Sequence, residues 1–132
     1  MDRSVFAFGK AGRPQQVVGV KQVVKLCRHH PGLNANITVH GFLVGARIQP
    51  SIGLIGALVP ERPRTTVLDQ KHFPPANSVP ISIGHDALSK YGNVRYGTVR
   101  WGAFVRVSGS LVCGSHGRVY VVGVQAFRTL SP

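Results

Sequence analysis

The sequence predicts an all-β domain: a five-stranded barrel with one short helix between its third and fourth strands, preceded by an N-terminal extension. Three observations point there. Sixteen glycines and nine prolines punctuate the chain and separate short valine- and isoleucine-rich runs, the spacing of a β-sandwich or barrel. Within those runs apolar and polar residues alternate with period two. Finally, 43% of residues are apolar beside a net charge of +12, whereas disorder requires low hydrophobicity together with high charge. The 132 residues are enough for one domain.

The extension covers residues 1–34. Within it, 15–30 (QQVVGVKQVVKLCRHH) sets Val17, Val20, Val24 and Cys27 at helical spacing, with Lys21, Lys25 and Arg28 between them. Its five valines and Gly19 suit a strand equally well, so helix and extra strand stand as alternatives, with Pro31 and Gly32 as the stop. Residues 35–128 form the barrel, and 129–132 a tail.

The first barrel strand is 35–45 (ANITVHGFLVG), in which Ile37, Val39 and Leu43 alternate with Thr38, His40 and Phe42. Gly41 predicts a bulge or sharp bend there. The second strand is 52–59 (IGLIGALV), closed by Pro60, and a short strand is expected at 65–68. Residues 69–77 (DQKHFPPAN) read as loop, and 79–84 (VPISIG) as a strand. Residues 85–92 (HDALSKYG) fit a short helical turn ended by Gly92. The final hairpin is 103–113 (AFVRVSGSLVC) and 118–127 (RVYVVGVQAF), joined by GSHG at 114–117.

Strand, strand, strand, helix, strand, strand is the order of the OB-fold, a Greek-key barrel of five strands. Residues 35–45 resemble the opening strand of bacterial single-stranded-DNA-binding proteins. The phrase V-x-V-x-G-x-L, here Val105, Val107, Gly109 and Leu111, resembles their fourth strand. The likeness spans 35–127 and extends to OB-fold subunits of mitochondrial RNA-editing complexes. It implies non-enzymatic binding of single-stranded nucleic acid, RNA slightly favoured over DNA, within a larger RNA-processing or replication assembly. It also implies a mitochondrial location, with other OB-fold subunits or a second copy of the chain as protein partners.

The charge supports a polyanionic partner independently. Sixteen Lys plus Arg against four Asp plus Glu, with a pI near 11.2, create a field that concentrates polyanions. Alternation turns Phe104 and Arg106 outward on the fourth strand, Arg118 and Tyr120 on the fifth, and Phe42 on the first. The connection 93–101 interleaves Arg95, Tyr96, Arg100 and Trp101, and Arg47, Arg62, Arg64 and Lys71 occupy flanking loops. Rings beside guanidinium groups suit an unpaired strand, since any base can stack and any phosphate can pair. The expected nucleic-acid contacts are therefore Phe42, Arg47, Arg95, Tyr96, Arg100, Trp101, Phe104, Arg106, Arg118 and Tyr120. Trp101 and Phe104 also fit the core, and Phe42 or Tyr120 a subunit contact.

Other classes receive less support. Asp2, Glu61, Asp69 and Asp86 are the only acids, too dispersed for paired-carboxylate catalysis, so no enzyme and no small-molecule substrate are expected. Cys27, His29, His30, Cys113 and His116 lack paired ligand spacing, so no metal and no cofactor are expected. No apolar run reaches the length of a membrane span. The two cysteines read as separate small core residues in a reducing compartment. The alternatives to strand binding are a structural OB module holding protein partners, and a small basic viral coat or nucleocapsid protein.

Overall fold

The structure, a computed structural model, describes residues 17–49, 53–84 and 101–131. The chain begins with β1 (Val17–Gly19) and α1 (Val20–His29). Five longer strands follow: β2 (Asn34–Gln49), β3 (Gly53–Val59), β4 (Val79–Gly84), β5 (Phe104–Cys113) and β6 (Val119–Ser131). Their hydrogen-bonded order is β1-β2-β3-β4-β6-β5, and β5 pairs back onto β2, closing the last five into a barrel. Only the β4–β6 pair within that barrel is parallel. This is the Greek-key closure expected of an OB-like barrel. The helix expected between the third and fourth barrel strands, at 85–92, lies outside the described residues.

β2 holds the barrel together because it serves two neighbours in succession. Residues 34–42 pair with β5 and residues 42–49 with β3. The strand must curl between them, and two glycines allow it. A side chain at Gly41 would run into Val20 and Leu58, and one at Gly45 into the Trp101 ring. The bulge itself falls between Gly45 and Arg47, not at Gly41, which is instead the point where α1 approaches β2. On the same edge of β2 as β3, along the part that β3 does not reach, β1 adds a short parallel strand opposite residues 38–40. Residues 65–68 do not form a strand but one parallel bridge, Gly45 to Val67, with hydrogen bonds at 2.8 Å on either side. In the loop beyond, Asp69 caps a single 3-10 turn, Gln70–His72, and the hydrogen bond from the His72 ring holds its carboxyl below the ordinary carboxylate range.

The segment 15–30 resolves into both of its alternatives, three residues of strand and then ten of helix. Tertiary burial outweighs the weak helix propensity of its valines. Val20, Val23, Leu26 and Cys27 all join the barrel core, with Ile37, Leu58, Ile83, Val107 and Leu111. Residues 17–33 therefore belong to the domain rather than to an appendage, and β6 runs to Ser131, past the expected end at 128.

The two cysteines are not separate. Both are buried as expected, but they are joined: Cys27 of α1 is bonded to Cys113 at the end of β5, 86 residues away. Hydrogen bonds from Gly32 N–H to the Cys113 carbonyl, and from Cys113 N–H to the Leu33 carbonyl, fix the same junction. A sequence with two distant cysteines carries no signal for their pairing.

Candidate nucleic-acid interface

The outward faces of β2, β5 and β6 form one wall. Alternation holds on β5, where Val105, Val107 and Leu111 are buried, Arg106 is exposed and Phe104 half-buried. On β6, Val119 and Val121 are buried while Tyr120 and Val122 are exposed, as is Arg118 just before the strand. On β2, His40 and Phe42 are half-buried, but Thr38 is fully buried, its hydroxyl 2.8 Å from that of Ser108. The register then sets side chains in rows: His40 opposite Arg106, and Arg106 opposite Arg128. The neighbouring row places Phe42 opposite Phe104.

Three rings meet there. Phe104 lies 5.0 Å from Phe42 and 5.2 Å from His40, both pairs tilted, the arrangement aromatic quadrupoles favour. Arg62, from the loop after β3, lies over Phe42 at 5.4 Å from its centroid. Arg106 and Arg128 are like charges on directly opposed positions, which weakens a β-ladder. Among the described residues the ion pairs are Lys21–Glu61 and His72–Asp69, and neither supplies these arginines with a counter-charge.

The remaining expected contacts divide. Trp101 is half-buried and packs on the core, its ring filling the space over Gly45, so the core alternative describes it. Arg118 and Tyr120 stand apart from the ring cluster. Tyr120 is opposite Val112, and Arg128 opposite Arg106, which puts about 20 Å of β5 between the two groups at some 3.4 Å per residue. Arg118 and Tyr120 line instead a groove with Arg28 of α1 and His116 of the β5–β6 turn. Arg47 sits in β2 opposite Ile55, with its side chain outside the described set. Arg95, Tyr96 and Arg100 lie wholly outside the described residues.

Sequence reasoning missed Arg128, which lies one residue past the expected last strand, 118–127, and the α1 cations. Extending the last strand one residue past its expected end at 127 would have included the first. The spacing of Lys21, Lys25 and Arg28 at i, i+4 and i+7 carried the signal for the second. The wall can hold a base against a ring and a phosphate against a guanidinium at neighbouring positions.

No family model matches the sequence, and no curated protein matches it. Among solved structures the chain is similar to the hypothetical protein ygiW from E. coli, with a TM-score of 0.51 at 13% identity. The superposition covers 94% of this chain and 98% of that one. At that identity the likeness concerns the fold, and with the closed ladder it describes an OB-like five-stranded barrel.

Proposed function

We propose that this barrel binds single-stranded nucleic acid, RNA slightly ahead of DNA, without catalysing a reaction and as part of a larger assembly. One observation carries the reading: Arg106 faces Arg128 beside the His40, Phe42 and Phe104 rings, with Arg62 over Phe42. Opposed arginines cost stability until an anion lies between them, and a ring cluster at their side adds a surface for bases. The net charge of +12 draws polyanions to the molecule from a distance. The Cys27–Cys113 bond supports an oxidising compartment for this activity, since cytosolic and nuclear thiols are kept reduced.

The test is fluorescence anisotropy with matched single-stranded RNA, single-stranded DNA and duplex. Phosphate contacts from Arg62, Arg106 and Arg128 correspond to a log-log salt slope of about −2, or roughly twentyfold weaker binding between about 50 and 200 mM salt. A flat response sinks the proposal. Tighter binding of duplex removes the stacking part and leaves only the charge.

A further inference from the structure

We propose that a bound strand continues past Phe42 across α1, whose Lys21, Lys25 and Arg28 take its phosphates, and ends beside Arg118 and Tyr120. This path rests on the nucleic-acid reading above and extends it to residues that reading does not use.

Continuity is the first ground. Arg62 lies over Phe42, and its chain neighbours Glu61 and Pro63 form one bank of a groove of about 680 Å³ whose other bank is Lys21, Lys25 and Arg28. The groove passes Arg28 and Asn77 into a second one of about 530 Å³, where Arg118, His116 and Tyr120 stand. The two groups of outward residues that β5 separates are thus joined around the end of the barrel that α1 covers.

The helix supplies the second ground. Val20, Val23 and Cys27 are buried in the core, which turns Lys21, Lys25 and Arg28 to solvent as a single stripe, and all three are exposed. The stripe runs from position 21 to position 28, seven steps or about 10 Å of helix, a length suited to more than one phosphate. Glu61 is 3.8 Å from Lys21, but both side chains are largely in water, at 74% and 82% exposed. Such a pair is weak and yields readily to a phosphate. Prolines 60, 63, 74 and 75 stiffen the facing loops.

The experiment compares 4- and 16-nucleotide fluorescein-labelled oligouridylates, at about the limits of one OB-fold's site size, on the wild type and on Lys21→Ala/Lys25→Ala/Arg28→Ala. The expected result is a salt slope shallower by about 2 on the long oligonucleotide, with affinity for the short one changed less than about twofold. Lys21→Arg/Lys25→Arg, which keeps all three positive charges, retains the wild-type slope on both lengths; loss of slope in this variant overturns the assignment to phosphate charge. An unchanged slope on the long oligonucleotide overturns the path while the ring wall stands. Equal losses on both lengths overturn it too, as the sign of a general field effect. Failure of the wild type to bind either oligonucleotide removes the nucleic-acid reading and the path together. Thermal melts by circular dichroism confirm that the variant is folded.

Discussion

The rings of Phe42 and Phe104 are 5.0 Å apart at the register where β2 exchanges β5 for β3 as its partner: Phe42 is opposite Phe104 on one side and Val59 on the other. The ring cluster therefore marks the seam of the barrel, and Arg62 reaches it from the loop that follows Val59. Where the ladder changes partner, the outer face is broad enough for three rings and a guanidinium.

Phe104→Ala removes the ring that touches both others. It is half-buried on the outer face, so the barrel should survive its loss. Affinity for a single strand is expected to fall by about 1 to 3 kcal/mol, the usual worth of one stacked base. Anisotropy titration measures this, and unchanged affinity would show that the cluster serves packing alone.

Arg106→Ala separates charge from structure. Relief of the repulsion with Arg128 should leave the free protein as stable as before or slightly more so. The salt slope on single strands should become shallower by about 0.7. Urea unfolding and a salt titration read the two effects; a marked loss of stability would mean that Arg106 has a structural partner.

Reduction of Cys27–Cys113, or the Cys27→Ser/Cys113→Ser variant, releases a loop of 86 residues. Chain entropy alone puts the cost at roughly 4 to 5 kcal/mol. Denaturant unfolding with and without reductant should show it, with α1 losing protection from hydrogen exchange first because the bond ties it to β5. Equal midpoints under both conditions would contradict this.

Gly45→Val places a side chain in the space that the Trp101 ring fills. Overpacking of this kind typically costs about 1 to 3 kcal/mol. The chain has a single tryptophan, so its fluorescence reports the displacement directly as a red shift. An unshifted spectrum would place the ring elsewhere.

Much of the barrel was legible residue by residue. Glycine and proline mark the strand limits, and 79–84 is a strand over its whole expected length. Inward and outward faces of β5 and of the start of β6 follow from alternation, because a strand's side-chain period is two whatever it pairs with. Net charge is a sum over the chain and needs no fold. Beyond Val122 alternation fails: a register shift opposite Ser108 and Ser110 turns Val124 and Phe127, three apart, both inward.

Neighbour relations across the barrel depend on closure, which no local pattern encodes. Parity places Phe104, Arg106 and Tyr120 on an outer face, but register carries Tyr120 away to the groove under α1. Trp101, beside Arg100 in the chain, is drawn to the core because Gly45, more than fifty positions earlier, leaves room for it. Likewise Cys27 and Cys113 meet only once α1 has covered the end of the barrel. Short-range spacing records which way a side chain points; long-range packing chooses what it meets there.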